Sequence, residues 1–250
     1  MKAKYFISLL VATLVLLALS MPVLASKMDD SIVSSAKKSY VFKNYLKNDD
    51  IKIQSKDGAV TLTGTVSEES HKSLAQETVA GLPGVKSVDN KLAVKGECPA
   101  ANSDAWIMMK VKTALLFHRS VSAGTTVDVK NGIVTLKGNA ASQAEKDLTT
   151  EYAKDVDGVK DVKNEMAVSK TTKKAETTGG KIDDASITGL VKMTLLYHRS
   201  TSALNTSVTT KNGVVTLTGK AKNAAEKDLA TKYVNDVNGV KSVKNRMTIE

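Results

Sequence analysis

The sequence is poor in cysteine, in aromatic residues and in long apolar runs, and each shortage excludes a class of protein. Its 250 residues include one cysteine, Cys98, so no disulfide can form within the chain. Aromatic residues make up 4% of the composition, which disfavours a protein that holds single-stranded nucleic acid by stacking bases on rings. Beyond the first 25 residues, no apolar run is long enough to cross a bilayer.

The N-terminal segment has the pattern of a secretory signal peptide. Lys2 and Lys4 precede an apolar run from Phe6 to Leu19, and small residues follow that run. This pattern predicts a signal peptide over residues 1–25 that is cleaved after Ala25. We therefore expect the rest of the chain to be exported.

One phrase occurs three times in the chain, as DGAVTLTGTV, NGIVTLKGNA and NGVVTLTGKA. A second glycine follows 26 residues after the first glycine of each phrase, and it opens the related phrases GVKSVDNKLAV, GVKDVKNEMAV and GVKSVKNRMTI. Equal internal spacing in three copies indicates tandem modules. The glycines, which we expect in structural turns, are Gly58, Gly84, Gly132, Gly158, Gly213 and Gly239.

Each repeat has the length of a small domain that can fold by itself, since about 70 residues is close to the lower limit for a single core. The stretch after the second copy is polar and ends in glycines, which is typical of a flexible linker. The predicted boundaries are residues 29–96 for module 1, 103–169 for module 2, 170–182 for the linker and 183–250 for module 3.

The order of elements can be followed in module 2. A helix begins at Ser103 or Asp104, and the Asn131–Gly132 pair between two alternating runs predicts a tight hairpin. A capping box at 142–145 starts a second helix, which we expect Gly158 to end, and an alternating strand follows. The order α-β-β-α-β predicts an α+β fold, in which two helices cover one face of a three-stranded sheet.

The three copies of this order, the NGxVTLxG hairpin and the GVKxVxNxMxV final strand together resemble the BON domain family. Module 1 is the most divergent copy, because it has Asn44 and Tyr45 where the others have His-Arg-Ser. The resemblance implies a non-enzymatic protein of the bacterial periplasm and envelope. It also implies phospholipid binding, a link to osmotic or envelope stress and, for some members, chaperone-like activity.

The histidines come closest to a catalytic or metal-binding pattern. His118 and His198 occupy the same position in LLFHRS and LLYHRS, so a metal ligand or a general base is weighed against a structural role at a helix end. No partner at ligand spacing and no nucleophile or phosphate-binding pattern accompanies them. We therefore expect residues whose partial positive charge suits a helix C-terminus, and we predict no enzyme, no cofactor and no metal site.

A repeated asparagine stands in the last strand of each module, as Asn90, Asn164 and Asn245. Strand alternation places it on the inward face, where an amide needs hydrogen-bond partners. Two interpretations follow: the amide satisfies a nearby backbone group, which we favour, or it contacts a polar ligand.

Charge is divided unevenly among the modules. The chain carries 36 basic and 26 acidic residues, a net charge of +10. Residues 171–250 hold 13 basic and 7 acidic residues, whereas 26–100 and 101–170 each have a net charge of +1. A basic surface on an exported protein favours anionic phospholipid over nucleic acid as the partner. The candidate lipid-binding residues are Lys181, Lys192, Arg199, Lys211, Lys220, Trp106 and Met109.

Two hypotheses for function follow. In the first, the chain is a non-catalytic periplasmic protein of the envelope or osmotic stress type that makes peripheral contact with anionic phospholipid. In the second, it is a soluble periplasmic chaperone or protein-interaction array for exported proteins, and the lysines are solvated surface residues. Cys98 is either an incidental exposed residue, which we favour, or the link of a disulfide-bonded dimer.

Overall fold

The computed structural model describes residues 26–96, 99–169, 181–201 and 205–250. The predicted signal peptide, Cys98 and most of the predicted linker lie outside these residues. Within them, the predicted α+β fold is confirmed: each module has a small mixed sheet with helices on one face, and module 2 has a further two-stranded sheet.

The elements follow the predicted order, with an extra short helix in module 1 and extra short strands in modules 2 and 3. In module 1, α1 covers 26–38, and the others are α2 (Tyr40–Asn44), β1 (Asp50–Lys56), β2 (Ala59–Val66), α3 (Glu69–Ala80) and β3 (Ser87–Val94). Module 2 contains α4 (Asp104–Phe117), β4 (Thr126–Lys130), β5 (Ile133–Lys137), β6 (Asn139–Ala140), α5 (Gln143–Lys154), β7 (Asp161–Asn164) and β8 (Ala167–Val168). Module 3 contains α6 (Asp184–Tyr197), β9 (Thr206–Lys211), β10 (Val214–Ala221), α7 (Ala224–Asn235), β11 (Ser242–Asn245) and β12 (Thr248–Ile249).

The second strand of each module is the middle of its sheet. It pairs antiparallel with the first strand through a two-residue turn. It pairs parallel with β3, β7 or β11, the strand that follows helix α3, α5 or α7. The inward side chains of these middle strands are fully buried, and they are Val60, Leu62, Val134, Leu136, Val215 and Leu217. The other face of each sheet is left for polar and charged residues, as expected for a two-layer fold.

The helix starts in module 2 follow the predicted caps, but the end of the second helix does not. Ser103 Oγ accepts from the Trp106 backbone N–H, and Ser142 Oγ accepts from that of Glu145. Helix α5 ends at Lys154 with Asp155 as its C-cap, so the expected end at Gly158 is wrong. Positive φ angles occur at all six turn glycines.

The repeated asparagine fastens the last strand to the second helix. Asn245 Nδ2 donates to the Lys227 carbonyl at 2.9 Å and to Thr231 Oγ1 at 2.8 Å, while its Oδ1 accepts from the Met247 N–H. Asn164 makes the matching contacts in module 2, and Asn90 does so in module 1 with Gln76 in place of the threonine. The amide therefore satisfies backbone groups, as the favoured interpretation predicts.

An aspartate at the start of each module ties its first helix to its hairpin turn. The carboxylate of Asp104 accepts from the backbone N–H groups of Asn131 and Gly132 at 2.7 and 2.8 Å. Asp29 and Asp184 bind the corresponding turns in the other modules. The sequence pattern predicted Asp104 only as an alternative helix cap. It did not predict the contact with a turn 27 residues away.

Module 3 packs against both other modules, in two different ways. Helix α6 lies on α3 of module 1 at very short range, because Gly189 of α6 faces Thr78. The N-terminus of α2 is also bound to module 3, since the Tyr40 N–H donates to Asp183 Oδ2 at 2.8 Å. Module 2 instead meets module 3 through the ends of the helices that carry the repeated histidines.

Candidate functional site

His118 and His198 meet at the contact between modules 2 and 3. Their Nε2 atoms are 3.1 Å apart, and both side chains are fully buried. Each histidine is the C-cap of the first helix of its module, so the two helices end at the same point from opposite sides. The backbone also pairs across the contact, because the Arg119 N–H donates to the Asp236 carbonyl and the Arg199 N–H to the Asp155 carbonyl, both at 2.8 Å.

Each histidine faces a carboxylate of the opposite module. His118 Nδ1 lies 3.4 Å from Asp236 Oδ2, and His198 Nδ1 lies 3.5 Å from Asp155 Oδ2. The contact is therefore close to twofold symmetric, because each module contributes the same residues to it. We call this set the paired-histidine network, and its members are His118, Arg119, Ser120, Tyr152, Asp155, His198, Arg199, Ser200, Tyr233 and Asp236.

The carboxylates of this network are well supplied with hydrogen-bond donors. Asp236 accepts from the Ser120 hydroxyl at 2.6 Å and from the Tyr152 hydroxyl at 2.9 Å. Arg119 Nε lies 3.5 Å from the same carboxylate. Asp155 accepts from the Ser200 hydroxyl in the same manner, with Arg199 Nε at 3.7 Å. The Tyr152 ring also stacks on the His118 ring, with 3.7 Å between ring centroids.

Burial has opposite effects on the acids and the bases of this network. Desolvation lowers the pKa of His118 to about 4, although Asp236 beside it acts in the other direction. Desolvation works to raise the pKa of Asp236, but hydrogen bonds from His118, Ser120 and Tyr152 outweigh it and the pKa is lowered. The pKa of Asp155 is lowered for the corresponding reasons. The expected place of the histidines at helix ends is correct, but a partly cationic role for His118 is wrong because the ring is desolvated.

The network joins modules 2 and 3, and its two histidine side chains have no exposed surface. The described ranges contain no group of three or more histidine, cysteine or acidic residues that could bind a metal ion. The third histidine, His71, is bound within module 1 to Asp49 at 2.6 Å.

Sequence analysis missed the tyrosines and aspartates of the network, although the sequence carries a signal for them. Tyr152 and Asp155 recur as Tyr233 and Asp236 in the two modules that have His-Arg-Ser. Module 1 has neither the tyrosine nor the aspartate at the corresponding positions, and it also lacks His-Arg-Ser. Residues that appear and disappear together across repeats are candidates for one contact.

The predicted lipid-binding cations fall into two groups. Lys192 Nζ is bound to Glu77 of module 1 at 2.7 Å, and Arg199 belongs to the paired-histidine network. Lys181, Lys211 and Lys220 are exposed, and no ion pair involves them in the part of the chain that is described. The structure therefore does not bring the five cations together on one surface.

The predicted apolar candidates of helix α4 are partly buried. Trp106 packs against the core, and a Cβ atom at Gly158 would lie 3.4 Å from its ring. Lys110 Nζ covers the ring at 3.7 Å from its centroid. Met109 is also only partly exposed. No helix among the described residues has the length and apolar character that a membrane span needs.

Comparison with known proteins assigns the family. The model of the BON domain matches residues 29–96, 103–170 and 183–250, so this chain belongs to the BON domain family. The chain is 34% identical over 153 residues to osmotically-inducible protein Y of Escherichia coli (strain K12). The aligned region covers 59% of this chain and 76% of that protein. The chain is also 29% identical over 171 residues to outer membrane lipoprotein DolP of Haemophilus influenzae. That aligned region covers 67% of this chain and 86% of DolP.

Among solved structures, the chain is similar to CdsD, a structural protein of the type III secretion system of Chlamydia trachomatis. The two are 17% identical, and the match covers 88% of this chain and 92% of that one. The TM-score is 0.24.

Proposed function

We propose that this chain is a non-catalytic, periplasmic protein of the osmotic or envelope stress type that binds anionic phospholipid surfaces through module 3. The names of its relatives support the setting, since one is osmotically inducible and the other is an outer membrane lipoprotein. The predicted signal peptide agrees with this setting. The charge of one sheet face supports the lipid contact.

The observation that carries the proposal is the helix-free face of the module 3 sheet. Strand alternation and register place Lys211, Lys220 and Lys244 on this face, because Lys211 pairs with Val214 and Lys244 pairs with Thr216 of the middle strand. All three lysines are exposed. The other outward residues of β9, β10 and β11 are serine, threonine and valine, so these strands place no carboxylate on the face.

The same face in module 2 is built on the same register but has mixed charge. Its lysines, Lys130, Lys137 and Lys163, stand among carboxylates, and Lys137 lies 3.9 Å from Glu165. Three carboxylates of module 2 are replaced in module 3. At the equivalent positions of module 3, Thr209 replaces Asp128, Ser242 replaces Asp161 and Arg246 replaces Glu165.

A cationic face with no carboxylate on β9, β10 or β11 suits an anionic surface. Each lysine near an anionic bilayer contributes about 1 kcal/mol, and the attraction decays within the Debye length, about 8 Å at physiological salt. Three or four such side chains give a reversible peripheral contact. In module 2, the neighbouring carboxylates cancel most of this attraction.

The test is flotation of the chain from residue 26 onward with neutral and with anionic phosphatidylglycerol vesicles, each at low and high salt. We expect retention on anionic vesicles at low salt alone. The K211E/K220E/K244E variant should lose it, whereas the matched K130E/K137E/K163E variant of module 2, with the same change in net charge, should keep most of it. Equal loss in both variants, or no retention of the unmodified chain, would reject the module 3 surface.

A cleft where the three modules meet favours the second candidate function, the binding of exported proteins. The cleft encloses about 1360 Å³, and Leu74, Phe117 and Leu148 contribute to its lining. Leu116 lies at this cleft with 51% of its surface exposed, and Leu196 is equally exposed at the corresponding helix position of module 3, away from it.

These two leucines provide a matched test of client binding. If the cleft binds unfolded chains, L116D should weaken the suppression of aggregation of a denatured client at equimolar ratio, and L196D should not. Equal activity of both variants would remove the cleft from consideration.

A further inference from the structure

We propose that the His118–His198 pair is an acid-sensitive latch that holds modules 2 and 3 together and releases them when both rings become protonated. The inference goes beyond lipid binding and concerns how the three modules are held. It rests on the geometry of the two rings and on the charged groups around them.

The contact between the rings requires one donor and one acceptor. At 3.1 Å between the Nε2 atoms, one ring donates its N–H and the other accepts with a bare nitrogen. A pair that has gained one proton keeps this arrangement, because the extra proton can occupy an Nδ1 atom that faces a carboxylate. A second proton leaves no acceptor, so two N–H groups and two positive charges face each other between side chains that have no exposed surface.

The groups that face the rings limit how much positive charge the closed state can hold. The acidic groups are Asp236 and Asp155, one opposite each Nδ1 atom. Each accepts from a serine and lies near an arginine Nε atom, and Asp236 also accepts from Tyr152. Val156 and Val237, which pair with the histidine backbones, are neutral, as are the rings of Tyr152 and Tyr233. Two carboxylates therefore face two arginines before any imidazolium forms.

The direction of the pH dependence follows from the histidines. A separated module exposes its histidine, whose ordinary pKa is about 6.5, while closure lowers the pKa of His118 to about 4. The open state therefore binds more protons between these values, and closure loses stability as the pH falls from about 6.5 towards 4. The lowered pKa values of Asp155 and Asp236 keep both carboxylates charged through this window.

Release concerns the contact between modules and leaves the modules themselves intact. The network joins the end of the first helix of one module to the end of the second helix of the other. The middle strands of the two sheets lie elsewhere and have no titratable side chain on their buried faces. Acid should therefore lengthen the molecule before it unfolds it.

The experiment is small-angle scattering of the chain from residue 26 onward between pH 7.5 and pH 4, with circular dichroism on the same samples. We expect the maximum dimension to increase below pH 6.5 while helix and strand content is retained. The H118Q/H198Q variant, which keeps a donor and an acceptor that cannot be charged, should show no pH-dependent change in dimension. H71Q, which changes the histidine outside the network, should behave as the unmodified chain does.

Imidazole NMR on the unmodified chain provides a second measurement that does not depend on a variant. We expect His118 to gain full charge only as the dimension increases. The latch is rejected if the dimension stays constant to pH 4, if H118Q/H198Q keeps the transition, or if His118 titrates near 6.5 in a molecule that stays compact.

Discussion

Module 3 makes two contacts of opposite character with modules of the same fold. Its contact with module 2 is a polar network of buried acids, bases and hydroxyls, whereas its contact with module 1 is a close approach of two helices over Gly189. The difference depends on the second helix of the partner. Where module 2 has Tyr152 and Asp155, module 1 has Thr78 and Gly81, whose small size lets helix α6 lie directly on α3. These two positions, together with His-Arg-Ser, distinguish module 2 from module 1 at the contact.

The largest expected effect tests the polar contact. Replacing Asp236 by alanine leaves Ser120 and Tyr152 without their acceptor and removes the carboxylate that faces His118, and the loss should be about 3 kcal/mol in the free energy of unfolding by urea. Asp155→Ala should cost a similar amount, because the contact is nearly symmetric. A difference of more than about 2 kcal/mol between the two variants would show that the halves are not equivalent.

The next effect tests the close helix contact. A Cβ atom at Gly189 would lie 2.6 Å from Thr78 Oγ1 and 3.1 Å from the Thr78 backbone nitrogen. Gly189→Ala should therefore destabilise the chain by about 1–3 kcal/mol, although alanine is the better helix former. Gly124→Ala is the control, since the nearest atom there is 3.9 Å away. A gain in melting temperature for Gly189→Ala would contradict the close contact.

A third change acts inside one module and leaves both contacts untouched. Asn245→Ala removes two donors and one acceptor between β11 and α7, so we expect a loss of about 1–2 kcal/mol. Asn164→Ala should give the same loss. Thermal unfolding would show whether the two values agree, and a clear disagreement would mean that docking strains one of the modules.

The smallest effects concern exposed ion pairs that cross the contacts. Lys232 is bound to Glu151 at 2.7 Å across the contact of modules 2 and 3, with both side chains about half exposed. Lys232→Ala should change the free energy of unfolding by less than about 0.5 kcal/mol, because water and salt screen such pairs. Lys192→Ala, at the more buried pair with Glu77, should cost up to about 1 kcal/mol. A larger loss for Lys232→Ala than for Lys192→Ala would indicate that exposed ion pairs at the edges of the contacts contribute most to their stability.

The elements of the fold could be predicted because their signals are local and are repeated three times. The hairpin turn at Asn131 and the cap at Ser142 each involve residues a few positions apart. The docking of the modules could not be predicted in this way. Tyr152 meets Asp236 across 84 residues, and helical periodicity alone gives Tyr152 only a place in a buried stripe.

The candidate lipid surface was predicted in part. The excess of charge in module 3 is a property of composition, and Lys211 and Lys220 do lie on its open face. Lys192 and Arg199 were predicted for the same charge, but in the structure they form ion pairs with Glu77 and Asp155. Lys244 was not chosen, because only the register of β11 on β10 places it beside the others.

The near twofold symmetry of the paired-histidine network has a consequence for divergence between the repeats. Modules 2 and 3 each contain every residue type that the contact needs, as the two subunits of a homodimer do. In a homodimer one gene encodes both subunits, so every substitution appears twice. Here the two copies are encoded separately, so one copy can replace its surface acids with neutral or basic residues while its sister keeps them. The cationic face of module 3 beside the mixed face of module 2 is the asymmetry that such a covalently joined pair permits.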